Sequence, residues 1–246
     1  MTALFSAAAT FAFVVVSGAV GARLLRLARR THAVPELALG LAFFLVGAVG
    51  YPVGLISILP GVPEALARTL FALANLATAV GSAAVFVFTR SVFRPEARWA
   101  RALVWLAAGL LAVQAAFGVA RALTGDPARF AEPDLGFSLR QAVTAFSYAW
   151  TALEALRYRA LLVRRLALGL AEREVVNRFL LWAIAGAFAF AGSSVMSAVS
   201  LAGVTPWQDP IALSAVGLGG LVSAVCAWLA FLPPRAYLAW LGRRPA

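Results

Sequence analysis

Residues 4–22, LFSAAATFAFVVVSGAVGA, form an uncharged run of nineteen positions, and residues 23–30, RLLRLARR, which follow directly, carry four arginines. At a rise of about 1.5 Å per residue, such a run in a helix spans about 28 Å, close to the roughly 30 Å hydrocarbon core of a bilayer. A secretory signal has its basic residues before the apolar stretch and a small-residue cleavage site after it. Here nothing basic precedes Leu4 and the arginines follow, so the segment is expected to be a retained membrane helix.

The same pattern recurs along the chain. Spans are predicted at Leu4–Ala22, Leu37–Leu59, Thr69–Thr89, Ala102–Ala120, Leu135–Arg157, Phe179–Leu201 and Pro210–Leu232. The connecting segments are too short to fold a core of their own. The expectation is therefore an all-α membrane protein, one seven-helix transmembrane domain over residues 1–246 with no soluble domain. Composition agrees: of 246 residues, 63% are apolar and 13% charged, with a mean hydropathy of +0.89. A soluble domain carries about 25% charged residues.

Every basic residue apart from the lone histidine is arginine, and the formal net charge is +11. On a soluble protein that excess would suggest nucleic acid; here its distribution points to the membrane instead. Arginines 23, 26, 29 and 30 lie between spans 1 and 2, and 90, 94, 98 and 101 between spans 3 and 4. Six more, from Arg157 to Arg178, lie between spans 5 and 6, and Arg235, Arg243 and Arg244 follow span 7. Only Arg68, Arg121, Arg129 and Arg140 fall at the other ends. Arginine-rich short loops stay cytoplasmic, so the N-terminus is expected outside and the C-terminus in the cytoplasm.

Counting residues removes several membrane chemistries. A retinal Schiff base needs a lysine, and the chain has none. Bis-histidine haem, an N/S zinc site or a Ser/His protease needs more than His32 and Cys226. No metal site, cofactor or enzymatic activity is expected. Proton-coupled transport normally leaves acids or histidines inside the spans, and only span 5 contains charged residues, namely Arg140, Glu154 and Arg157.

Span 5 is amphipathic within the membrane. At 100° per residue, Arg140, Gln141, Thr144, Ser147, Tyr148, Thr151 and Glu154 occupy one arc of about 140°. Polar groups left unsatisfied in hydrocarbon cost several kcal/mol, so this stripe faces the bundle interior or a watery cavity. Thr10, Tyr51, Asn75, Gln114, Ser193, Ser194, Ser197 and Ser214 fall in the outer halves of the other spans. Two arrangements satisfy them. Amides and hydroxyls can hold helices together, or they can line an outward-facing pocket for a small or lipidic ligand. The pocket would use Gln141, Thr144, Tyr148, Asn75 and Gln114, with Arg140 and Arg121 near its mouth to attract an anion. Glu154 is one turn before Arg157, so an i,i+3 ion pair is expected; a switch built on Glu154 and Arg157 is the sharper alternative.

Small residues mark close helix approaches. Gly50 and Gly54 form a GxxxG with Pro52 as an expected kink, and Gly186, Ala189, Ser193, Ser197 and Ser200 share one face of span 6. Gly217, Gly219 and Gly220 do the same work in span 7. Packing within one chain accounts for these, and nothing indicates a homo-oligomer. On the arginine-rich side, Leu161–Arg178 is amphipathic with a break at Gly169, and Tyr237 and Trp240 read as interface anchors. Arg164, Arg165 and Arg178 would meet lipid headgroups there or dock a cytoplasmic or membrane partner.

The stretch Arg165–Trp182, RLALGLAEREVVNRFLLW, resembles a segment of uncharacterised bacterial seven-transmembrane-helix membrane proteins. The matching positions are Leu168, Gly169, Leu170 and Ala171, then Asn177, Arg178, Phe179, Leu180, Leu181 and Trp182. Glu172 and Arg173 stand where that family has Asp-Pro. The resemblance implies the same architecture, with Asn177 and Arg178 at the start of helix 6 capping it and meeting phosphate headgroups, and it implies no activity. With only fourteen residues after Leu232, any output is expected to pass through a separate partner. The sequence thus reads as a receptor-like or sensor-like bundle; a small permease or channel subunit and a structural subunit are the alternatives.

Overall fold

The computed structural model describes residues 2–243 and is helical throughout, with no strand among the described residues. Arg244, one of the arginines placed after span 7, lies outside the described residues. Seven long helices are followed by a short one: α1 (Thr2–Thr31), α2 (Val34–Ser57), α3 (Glu64–Phe93), α4 (Arg98–Thr124), α5 (Leu135–Ala167), α6 (Arg173–Leu201), α7 (Pro210–Phe231) and α8 (Arg235–Arg243). Each predicted span coincides with one of the seven. The helices outrun the spans mainly at their arginine-bearing ends, where α1 continues through Arg30 and α5 through Arg165. Charge ends a hydrocarbon segment without ending a helix, because arginine is a good helix former and its long side chain carries the charge out to the interface.

Helices α1, α2, α3, α4, α6 and α7 are long and apolar enough to cross a membrane. Helix α5, at 33 residues, has the length, but its polar stripe and its three mid-helix charges keep it outside that set of six. It is nonetheless packed into the bundle. Helix α1 packs on α2 and α7, α2 on α3, α3 on α5, α5 on α6, and α6 on α7, closing a ring. Helix α4 packs against both α3 and α5 beside their joint. The outer surface is apolar, with Phe11, Trp105, Leu123, Leu153 and Ile211 exposed, whereas Ser17, Ser82, Gln114, Ser147 and Glu154 are buried. This is the surface of a multi-pass membrane protein, apolar where it meets lipid and polar within.

Local chemistry sets the helix ends. The Asp134 carboxylate accepts from the Phe137 N–H at 2.6 Å to start α5, and Asp209 accepts from Ala212 at 2.8 Å to start α7. Helix α5 stops at the predicted break: Gly169 has φ +71°, the Leu170 N–H reaches the Arg165 carbonyl at 2.8 Å and the Gly169 N–H the Leu166 carbonyl at 3.0 Å. This is a Schellman cap, and its left-handed residue favours glycine. Asn177 does not cap α6. That helix begins one turn earlier, at Arg173 after Glu172, and Asn177 Nδ2 instead donates to the Tyr237 hydroxyl at 2.6 Å, tying α8 to α6.

The kink expected at Pro52 takes the form of a π-helical segment, Phe43–Gly50, whose wide turns end where the Tyr51 N–H bonds the Val46 carbonyl. Proline has no N–H to continue an α-helical ladder, and the looser winding just before it absorbs the mismatch. The segment is wedged between its neighbours: a Cβ on Gly47 would collide with Ser17 of α1, and one on Gly50 would lie 2.6 Å from Thr78 Oγ1 of α3. Gly54 likewise faces Ala74 of α3, so both glycines of the GxxxG pack within the chain.

Gly50→Ala is therefore expected to lower the melting temperature of the purified protein by several degrees. Gly109→Ala, in the middle of α4 with nothing within 4 Å of its Cβ position, is expected to leave it unchanged or raise it, since alanine is the better helix former. Tryptophan fluorescence melts in detergent distinguish the two.

Candidate functional site

The ring of helices surrounds a partly open cavity of about 350 Å³ to which all seven long helices contribute. Each residue predicted to bind a ligand lies on its lining: Gln141, Thr144 and Tyr148 from α5, Asn75 from α3, Gln114 and Arg121 from α4, and Arg140. Thr10, Tyr51 and Ser193 line it too. Ser194, Ser197 and Ser214 do not; their hydroxyls donate to carbonyls one turn back on their own helices.

At the centre of the polar wall is the buried side chain of Asn75. Its Oδ1 accepts from Gln114 Nε2 at 2.8 Å and from Arg140 Nη1 at 3.1 Å, while its Nδ2 donates to the Phe71 carbonyl at 2.8 Å. One amide thus joins α3, α4 and α5. Gly118, one turn beyond Gln114, makes the space: a Cβ there would lie 2.5 Å from Asn75 Cγ. The Arg140 guanidinium sits 5.4 Å from the centre of the Phe137 ring, makes no other hydrogen bond among the described residues and has no carboxylate within 4 Å. Gln141 and Tyr148 make no side-chain hydrogen bond among the described residues, and Gln114 Oε1 is buried without one.

Arg121, by contrast, is committed to the loop between α4 and α5. It binds Asp134 Oδ2 at 2.8 Å, the Glu132 carbonyl at 3.0 Å and the Arg129 carbonyl, and it covers Phe71. This loop holds the 3₁₀ turn Pro127–Arg129, and its Phe130 stacks on Phe71 with ring centres 4.2 Å apart.

The remainder of the stripe on α5 serves packing. Thr144 bonds Ser82 at 3.2 Å and Thr151 bonds Thr89 at 2.6 Å, two hydroxyl pairs that join α5 to α3. Ser147 is buried against the Thr144 carbonyl. Pocket lining and interhelical bonding therefore share one helix face.

Toward the arginine-rich end an aromatic floor lies below the cavity. Trp182 and Phe88, which line it, have ring centres 5.0 Å apart; Trp182 continues to Phe179 at 5.4 Å and Phe231 at 5.6 Å, and Phe43 completes the set. Phe43, Phe88 and Phe231 carry no sequence signature, because aromatic rings in an apolar span look like any other core, whereas Phe179 and Trp182 belong to the stretch 165–182. Below the floor sits the buried Glu154. Its Oε1 is 3.5 Å from Arg157 Nη1, so the expected pair is present. The closer partner is Arg94 Nε at 3.0 Å, and Trp150 Nε1 donates at 3.4 Å. Arg94 is sixty residues away, beyond any helical spacing rule.

Arg164, Arg165 and Arg178 are all exposed at the arginine-rich end, the first two in the last turn of α5, where positive charge suits the helix dipole. Among the described residues no group of three or more His, Cys, Asp or Glu side chains is placed to hold a metal ion.

Removing one partner of a buried ion pair leaves the other charge uncompensated. Glu154→Gln and Arg94→Gln are each expected to lower the melting temperature, with the double variant clearly less destabilised than the sum of the two. Glu154→Gln with Arg157→Gln is expected to be nearly additive, because Arg157 is 66% exposed.

Compared with family models, with curated proteins and with solved structures, the chain finds no match in any of the three.

Proposed function

We propose that this chain is a receptor-like, seven-span protein of a bacterial inner membrane, with its N-terminus outside and its C-terminus in the cytoplasm. It takes a small or lipidic ligand into the central cavity from the outer side and acts through a separate partner protein at its arginine-rich face. The observation that carries this reading is the cavity itself, polar around Asn75 and Arg140 and apolar toward the aromatic floor. Pockets that hold small molecules have this character, mostly apolar with a few convergent polar groups. Helix α5 is the seventh crossing. Its charges are tolerable at membrane depth because Arg140 faces the cavity and Glu154 is paired. The partition of seventeen arginines against four supports the orientation, and the resemblance of residues 165–182 fits the same architecture. The aromatic floor weighs against a through-going permease path, and the convergence of Asn75, Gln114 and Arg140 on one wall favours binding over a purely structural subunit.

Two measurements test this. With Cys226 replaced by alanine, Ala128→Cys in the α4–α5 loop is expected to react with a membrane-impermeant maleimide in spheroplasts. Leu168→Cys at the end of α5 is expected to react only after permeabilisation. The reverse pattern, or labelling of both from one side, overturns the orientation and the seventh span. Native mass spectrometry of the purified protein is expected to show a retained small species. Its repeated absence, with no solute raising the melting temperature, overturns ligand binding.

A further inference from the structure

We infer that the cavity takes a single-chain amphiphile whose anionic head, a carboxylate, sits on Arg140 with its hydrocarbon tail directed to the aromatic floor. The inference rests on the ligand-binding reading above and names the ligand's class.

The sign of the head follows from how the charges are paired. Four charged residues line the cavity: Arg121, Glu132, Asp134 and Arg140. Asp134 is held by Arg121 at 2.8 Å. Glu132 turns to Arg129, which lies off the lining, at 3.7 Å with both side chains more than half exposed. Arg140 is left with a neutral amide oxygen, Asn75 Oδ1, as its hydrogen-bond partner. Its guanidinium offers five N–H donors in a fork that matches a carboxylate, and only Nη1 is engaged among the described residues. Gln141 and Tyr148 add half-buried donors, free of side-chain hydrogen bonds among the described residues, on the same wall. Among the described residues a cationic head would find Asp134 already held by Arg121, and Glu132 beside Arg129.

The tail follows from the rest of the lining. Beyond the polar wall the cavity is bounded largely by Phe13, Phe43, Phe88, Trp182 and Met196, which carry no charge; the one N–H donor in this set, Trp182 Nε1, is buried without a partner among the described residues. At about 30 Å³ for each water-sized group, 350 Å³ accommodates about a dozen non-hydrogen atoms, and decanoate is a probe of that size.

The test uses the full chain in phosphatidylcholine nanodiscs, with binding of radiolabelled decanoate measured by equilibrium dialysis and the partitioning into protein-free discs subtracted. Saturable binding of one decanoate per chain is expected. Decanol should compete at least about tenfold less well, the factor lost with a charge-assisted hydrogen bond, and decyltrimethylammonium should not compete. Arg140→Gln is expected to weaken decanoate by a similar factor while leaving decanol binding in place, which shows that the cavity is intact; Arg140→Lys should recover most of the loss. Equal binding of decanol and decanoate, or tighter binding of the ammonium, overturns the anionic head and leaves the pocket standing. Saturable binding by none of the three overturns both this inference and a cavity open to amphiphiles. Loss of decanoate binding in phosphatidylglycerol discs assigns Arg140 to a lipid headgroup and overturns the single-chain ligand.

Discussion

The side chain of Asn75 accepts two hydrogen bonds on one oxygen, from Gln114 and from Arg140, and that shared acceptor sets the spacing of three helices. An arginine that faced lipid would be far more costly than one that faces a cavity. Helix α5 is therefore rotated so that Arg140 points inward, and the residues in phase with it follow. Thr144 and Thr151 meet hydroxyls on α3, Gln141 and Tyr148 face open space, and Phe146 and Leu153 turn outward. The apolar exterior and the polar interior are two consequences of one rotation.

A cavity inside a helical ring requires that the helices meet closely at their seams, so that the void is interior and not a gap between neighbours. Small residues supply those seams. Gly50 and Gly54 bring α2 against α3, Gly186 brings α6 within van der Waals reach of Ala152 and the Tyr148 carbonyl on α5, and Gly219 brings α7 against the Phe188 carbonyl on α6. Gly118 works differently: it leaves room for the amide at the centre of the polar wall. The π-helical winding of α2 lies on this ring, and its Gly47 and Gly50 form part of the cavity wall.

Contrast made part of this legible in the sequence. In spans otherwise made of Ala, Leu, Val and Phe, a residue such as Asn75 or Gln114 stands out, and the cost of exposing it to lipid directs it inward, so these polar lining residues could be read, whereas Ser194, Ser197 and Ser214, whose hydroxyls are satisfied on their own helices, could not be told apart from them. Gly169 could be read for the same reason, as a residue whose freedom was needed at one place. Arg94 could not, because its partner Glu154 is distant in sequence and only the packing of α3 on α5 brings them together. Nor could the confinement of Arg121 to the α4–α5 loop, which depends on backbone carbonyls that every residue has. Nor could the aromatic floor, because neither Phe88 nor Trp182 carries a charge that sets it apart from the apolar residues around it. Helix α5 does not stand out by apolarity, because its polar stripe and charged residues set it apart from the six apolar helices.

The two charged groups on α5 end in opposite states of compensation. Glu154 is buried with three N–H donors, from Arg94, Arg157 and Trp150, converging on one oxygen, and its charge is answered within the protein. Arg140, four turns nearer the other end, shares one neutral acceptor and has most of its donors unused among the described residues, with Asp134, itself held by Arg121, acting on it only through space. Buried polar groups that go unanswered cost more than the bonds they could make return, so a fold selected only for stability would match both or replace both with apolar residues. Helix α5 matches one and leaves the other facing 350 Å³ of cavity. That imbalance sits on the same wall as Gln141 and Tyr148, whose side chains make no hydrogen bond among the described residues. It locates the open chemistry of the bundle at Arg140 and leaves the Glu154 cluster as the clasp that holds α5 to α3 beneath it.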